Sequence, residues 1–371
     1  MKRIAFALCL ALAPMAMGQT AQPILRHTFD TELHGWSGIG INCRAAVATG
    51  SSFNGIGALK FDYDIKQGAF GMLTYAPPEG SLASASAFRF WIRVDQPTTV
   101  AFIAQEKGGG RFMAFLVPPR GKWQQVDIAL GDLILNEGPN DPRDADGKLD
   151  PGRIENIAVG DVAQLVAQAG SQDIERILGV QQGPRTLLLD DFTVITEKLP
   201  PSVLARAGEV RLDSFARPQI AWMATGNAAL SVVDAGGQGA KALQASYTRT
   251  SGRVLALVRM FPKGTLKGMD RLAFTASSQQ PTMLLVQVEE AGGGKFNTVC
   301  SIADPGAEKT FTLEFAGLNA SDDSPVKDRP VKPELISQVV FIDASALAGT
   351  GPEGQNVLVL RGLAGSAAPR Q

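Results

Sequence analysis

The sequence predicts an all-β protein: two tandem β-sandwiches that follow a signal peptide. Three observations carry this reading. Apolar and polar residues alternate along most segments, turn-forming residues are abundant, and the chain repeats itself once. Period-two alternation gives a strand one buried and one wet face. The 371 residues include 40 Gly and 22 Pro, which suits many tight turns. Hydrophobic residues at 45% can fill a core in each half, which excludes a disordered chain. Lys and Arg number 35 against 36 Asp and Glu, so no basic surplus points to nucleic acid or an anionic membrane.

The chain opens with a charged pair, Lys2-Arg3, and an apolar run from Ile4 to Ala13. The small-x-small site Ala16-Met17-Gly18 then places cleavage after Gly18, so residues 1–18 read as the signal peptide. A membrane span needs about 20 apolar residues, which neither this run nor any later one supplies. The expectation is a periplasmic or secreted protein with no membrane insertion after cleavage. Cys43 and Cys300 then remain, one in each half. They are open to pairing or to staying free, and two thiols at that spacing form no zinc site.

The elements follow in order, each with its echo. Phe29 and Trp36 recur as Phe215 and Trp222. Ala58-Leu59-Lys60-Phe61-Asp62-Tyr63 recurs as Ala242-Leu243-Gln244-Ala245-Ser246-Tyr247. In the first copy Leu59, Phe61, Tyr63 and Ile65 alternate with Lys60, Asp62 and Asp64, as in a strand. Phe88, Phe90, Ile92 and Val94 alternate with Arg89, Trp91 and Arg93 in a second strand, and Phe90 recurs as Phe274. Gly108-Gly109-Gly110 and Gly292-Gly293-Gly294 separate strand-like runs and predict hairpin turns. Val126, Ile128 and Leu130 mark a further strand. Val162 to Ile177 is the single helical candidate. Pro151, Ile154 and Asp161 recur as Pro333, Ile336 and Asp343. A nearly constant offset across so many anchors means a duplicated domain, not a solenoid. The boundaries are 24–196 for the first sandwich, 197–207 for a Pro-containing linker, 208–363 for the second sandwich and 364–371 for a flexible tail.

Each half resembles the jelly-roll, galactose-binding-like sandwiches of carbohydrate-binding modules, in particular those related to family 11 and to CIA30 domains. The matching residues are Phe29-Asp30 with Trp36, Gly57-Ala58-Leu59-Lys60 with Tyr63, and Phe88-Arg89-Phe90-Trp91-Ile92. They continue with Trp123-Gln124-Gln125-Val126, Asp146-Gly147-Lys148-Leu149-Asp150 and Leu189-Asp190-Asp191-Phe192. The second half departs from the pattern, with Arg361-Gly362 in place of Asp190-Asp191 and Glu308 near the place of Trp123.

Two sites follow. On the last strand of the first half, Leu188, Asp190, Phe192 and Val194 share a face by alternation, so Asp190 is expected to point into the core. A buried carboxylate needs a cation or full hydrogen bonding. The resemblance implies structural calcium there, with Asp30 or Glu32 from the first strand as further oxygen ligands. Backbone amides or an arginine would satisfy Asp190 equally. The second site is a ligand face. Arg89, Trp91 and Arg93 lie opposite the core side of their strand, and Gln125 and Asp127 face the same way on another. An aromatic ring offers a platform to the C–H face of a sugar, and flanking polar groups bond its hydroxyls. The alternative for Trp91 is packing under a loop or against the other domain.

Other motifs fail on spacing. With Gly147 as the sixth residue of an EF-hand loop, Pro142 and Arg153 would occupy ligand positions. No Lys-Ser/Thr follows Gly108-Gly109-Gly110, so it is no phosphate loop. His27 and His34 are the only histidines, and no nucleophile elbow or dinucleotide fingerprint occurs. The expectation is a non-catalytic protein that binds a polysaccharide through its first sandwich. The alternative is an envelope protein that uses CIA30-like sandwiches for protein contacts, without a sugar site.

Overall fold

The computed structural model describes residues 23–137, 141–168, 172–225, 228–236 and 240–367. The expected signal peptide, residues 1–18, lies outside them. The first half contains β1 (Leu25–His27), β2 (Ser37–Ile41), β3 (Arg44–Thr49), β4 (Gly57–Ile65), β5 (Phe70–Tyr75) and β6 (Ala87–Val94). It continues with β7 (Val100–Glu106), β8 (Arg111–Leu116), β9 (Gln124–Ala129), β10 (Ile134–Leu135), β11 (Ile154–Asp161) and β12 (Gly183–Ile195). The second half contains β13 (Leu204–Arg206), β14 (Glu209–Arg211), β15 (Met223–Ala224), β16 (Ala229–Asp234), β17 (Lys241–Arg249) and β18 (Leu255–Met260). After these come β19 (Arg271–Ser278), β20 (Thr282–Glu290), β21 (Lys295–Ile302), β22 (Lys309–Glu314), β23 (Asn319–Ala320), β24 (Ile336–Asp343) and β25 (Gly354–Ser366).

Each half is a two-sheet sandwich. In the first, one sheet runs β3-β4-β12-β6-β9, with β1 also paired to β12, and the other runs β10-β8-β7-β11-β5-β2. In the second, β13-β14-β25-β17-β16, joined by β19 and β22, faces β15-β18-β24-β20-β21-β23. Phe61, Phe88, Phe90, Phe102, Phe112 and Phe192 centre the first core, and Trp222, Phe261, Phe274, Phe296 and Phe341 the second. The alternation in β4 and β6 is borne out: Leu59, Phe61, Tyr63 and Ile65 are buried between half-buried Lys60, Asp62 and Asp64.

The duplication extends to the backbone. Phe29 and Phe215 hold the same left-handed conformation, with φ of 57° and 50°. Both triple glycines close hairpins, where the Glu106 N–H donates to the Gly110 carbonyl (3.1 Å) and the Glu290 N–H to the Gly294 carbonyl (2.8 Å).

Three expectations change. The helical segment is two short helices, α1 (Ala163–Gln168) and α2 (Gln172–Leu178). The 197–207 linker contains β13, and β25 carries Ala364 to Ser366 of the expected tail into the sheet. Most consequentially, Asp191 is left-handed (φ 46°) and the β12–β6 register shifts between Asp190 and Thr193. This bulge reverses the side-chain parity of β12. Leu187, Leu189, Phe192 and Val194 all enter the core, while Asp190 pairs beside Trp91 on the outer face. The inward orientation expected for Asp190 is therefore corrected.

The two sandwiches are bonded to each other. The Arg217 guanidinium donates twice to Asp132 Oδ2 (3.1 and 2.8 Å), and Ser202 Oγ donates to Asp132 Oδ1 (2.7 Å). The Gln219 amide donates to the Asp127 carbonyl (2.7 Å) and accepts from the Asp127 N–H (3.0 Å). Cys43 and Cys300 are both free.

Candidate functional site

The candidate site lies on the outer face of the β3-β4-β12-β6-β9 sheet. Register places Asp190, Trp91 and Gln125 in one row, and Arg89 and Asp127 in the next. Leu188 and Arg93 form a third row. Continuing the β6–β9 register one residue beyond Ile92–Gln124 puts Trp123 beside Arg93.

The loop 50–56 folds over this face. Asp190 Oδ2 accepts the Phe53 and Asn54 N–H groups (2.8 and 3.0 Å), and its Oδ1 accepts the Asp191 N–H (2.7 Å). Asp30 Oδ1 takes the Ile56 and Gly57 N–H groups (2.6 and 3.2 Å). Two carboxylates thus pin the loop at its middle and its C-terminal end. Burial raises the Asp190 pKa against the opposing pull of its three N–H partners. The Ile56 N–H is the main cause that lowers the Asp30 pKa.

Pinned in this way, the loop lays the Phe53 ring on Trp91, with centroids 3.4 Å apart and planes at 13°. Trp123 meets Phe53 edge-on at 6.4 Å. Trp91 is half-buried beneath, whereas Phe53 remains 45% exposed. The result is an aromatic shelf whose upper ring is Phe53. Trp91 takes the packing-under-a-loop alternative, and its cover is a second aromatic.

Structure divides the expected ligand residues. Arg89 and Asp127 occupy each other, Nε to Oδ1 at 2.7 Å and Nη2 to Oδ2 at 3.0 Å, and this bond raises the Arg89 pKa. Asp127 is only 6% exposed, under Gln219 of the second sandwich, so it is no open ligand group. Gln125 donates to Asp127 Oδ1 (3.1 Å). Trp91 and Arg93 stay at the shelf. Sequence reasoning missed Phe53, although an aromatic among Ser51, Ser52, Asn54 and Gly55 serves no turn and was the available signal.

The expected calcium ligands are placed differently. Asp190 and Asp30 accept from separate backbone amides, and exposed Glu32 sits 3.2 Å from His34 Nδ1. Among the described residues, no group of three or more His, Cys, Asp or Glu side chains converges to hold a metal. At this corner the Asp190 and Asp30 carboxylates bond backbone N–H donors.

The second sandwich solves the same corner with opposite charge. Arg361 replaces Asp190 and donates to the Ala235 carbonyl (3.2 Å) in the corresponding loop, while also bonding Glu308. Its strand β19 presents Arg271, Ala273 and Thr275 outward, so no aromatic shelf forms.

No protein-family model and no curated protein matches the chain. Solved structures similar to it include carbohydrate-binding modules and an exo-beta-agarase. One is the family 11 module from Clostridium thermocellum in complex with a beta-1,3-1,4-mixed-linked tetrasaccharide. It is 14% identical over 47% of this chain and 95% of that one, with a TM-score of 0.36. Another is the CBM22-1–CBM22-2 tandem domain from Paenibacillus barcinonensis Xyn10C, 11% identical over 95% of this chain and 99% of that one, TM-score 0.30. An exo-beta-agarase is 17% identical over 46% of this chain and 24% of that one, TM-score 0.33. At these identities and scores no site residue is carried across, and the shelf stands on its own geometry. Among the described residues, no helix is long and apolar enough to cross a membrane.

Proposed function

We propose that this is an exported, non-catalytic glycan-binding protein whose sugar site is the Phe53–Trp91–Trp123 shelf of the first sandwich. The observation that carries the reading is the Phe53 ring, stacked on Trp91 and open above. An aromatic held flat on a sheet loses little entropy on binding and presents its face to the C–H side of a pyranose. The signal-like residues 1–18 support export to the periplasm or beyond.

The test is tryptophan fluorescence of the chain lacking residues 1–18, titrated with soluble polysaccharides. Trp36 and Trp222 are buried in the cores and supply a constant background. Saturable change from Trp91 and Trp123, weakened about tenfold or more by Phe53→Ala at unchanged melting temperature, is the expected result. Silence across neutral and acidic polysaccharides overturns the reading.

A second reading, protein contact without sugar, is favoured by one observation. Edge strand β2 exposes Ile39 (50%) and Ile41 (61%), and Ile41 pairs beside Phe70 (36%). Uncharged apolar edges of this kind accept further strands. Sedimentation of the chain with and without Ile41→Lys tests it, association lost in the variant being the supporting outcome.

A further inference from the structure

We infer that the shelf takes an anionic glycan, with sugar carboxylate or sulfate groups recognised by Arg93; this rests on the glycan reading. The inference comes from which charged groups around the shelf already have partners. Asp190 is fully buried and takes three backbone N–H groups. Asp127 holds Arg89, Asp191 holds Arg26 (2.6 Å), and Asp62 holds Lys60 (2.8 Å) and the Thr186 hydroxyl (2.7 Å). These carboxylates beside Trp91 and Phe53 are therefore engaged, and the exposed Asp95, two residues beyond Arg93, is the flanking carboxylate with no side-chain partner among the described residues.

Arg93 is different. It points outward from β6, two residues from Trp91, and is half-buried. No ion pair or hydrogen bond to its guanidinium occurs among the described residues. Lys122, exposed just before Trp123, also has no acidic partner among the described residues. A guanidinium carries five N–H donors in a fork that matches carboxylate and sulfate oxygens, and it accepts nothing. An unpaired guanidinium beside a stacked aromatic ring favours an acceptor-rich, negatively charged sugar over a neutral one.

The experiment compares polygalacturonate (carboxylate), carrageenan (sulfate ester), and neutral xylan and mixed-linkage glucan. It uses the chain lacking residues 1–18, at low and high NaCl, with Arg93→Gln and Phe53→Ala alongside. The expected result is binding to one or both anionic polymers, weakened by salt as an exposed charge contact must be. Arg93→Gln should cost about tenfold in affinity and flatten the salt dependence, while circular dichroism stays unchanged. Polygalacturonate or carrageenan preference then identifies the anionic group. Equal binding to neutral polymers, unaffected by Arg93→Gln but lost in Phe53→Ala, overturns the anionic inference and leaves the shelf reading standing. No binding to any polymer overturns both.

Discussion

His27 and Asp213 occupy the same position in the repeat and meet the same need with different chemistry. The buried indole N–H of Trp36 donates to His27 Nδ1 at 3.0 Å, and that of Trp222 to Asp213 Oδ2 at 2.7 Å. Around His27 the neighbours are aromatic, with Tyr75 edge-on at 4.9 Å and His34 stacked at 4.8 Å. Around Asp213 the position of Tyr75 is taken by Arg259, 3.5 Å away. An acceptor was kept, and its charge state was matched to its neighbour. Burial, then His34, lowers the His27 pKa from 6.5 to about 4. A depressed folded pKa contributes stability that is present above pH 6.5 and lost as pH falls towards 4. The full effect is about 3 kcal/mol at most. Urea midpoints of wild type and His27→Asn across that window are expected to converge as pH falls. The difference between the two isolates His27 from Asp161 and Asp190, whose raised pKa values act in the opposite sense. At Asp190 itself, Asn would turn its amide NH2 towards a backbone N–H donor. Asp190→Asn is expected to cost about 1–3 kcal/mol in urea unfolding and to alter Trp91 emission as Phe53 lifts.

Among the elements, the alternating strands were legible and the irregular ones were not. β4 and β6 follow their sequence pattern because straight strands keep strict parity. β12 does not, since one left-handed residue reverses the faces beyond it, and no alternation rule foresees where a non-glycine residue will take that conformation. Asp190 was correctly singled out as a buried carboxylate that needs partners, yet its surroundings were misplaced by that reversal. β2 shows a similar dependence on one residue. Gly40 lies at φ 123°, and a Cβ there would stand 1.9 Å from the Phe70 carbonyl oxygen. Gly40→Ala is therefore expected to loosen β2 from β5, at a cost of about 2 kcal/mol or more. Hydrogen exchange at Ile39 and Ile41 should accelerate more than in the cores, and uniform acceleration would contradict a local effect.

Across the whole molecule, the contacts between sandwiches matter more than a linker alone suggests. Arg217, 8% exposed, and the Ser202 hydroxyl both donate to Asp132, and Gln219 bonds the Asp127 backbone of β9 twice. These bonds cover Asp127 and close that end of the ligand face, leaving Trp91, Phe53 and Arg93 at its open side. One cooperative thermal transition is expected for the intact chain, since each sandwich stabilises the other through this seam. Arg217→Ala leaves Asp132 without its cation and is expected to split or broaden the calorimetric transition. A variant that keeps one sharp transition would show that the two units melt together for another reason.

The sequence alone determined the two β-sandwiches, their duplication, the hairpin glycines and the outward placement of Trp91 and Arg93. These follow from local periodicity, and periodicity is written residue by residue. Only the tertiary structure decided what those outward residues meet. It brought Phe53 across the sheet onto Trp91, gave Asp190 and Asp30 to the amides of one loop, and paired Arg89 with Asp127 under Gln219. Each contact joins segments distant in the chain, and the bulge at Asp191 sets which β12 residues face the core beyond it. Partners of that kind are fixed by how sheets and loops pack, which no single stretch of sequence contains.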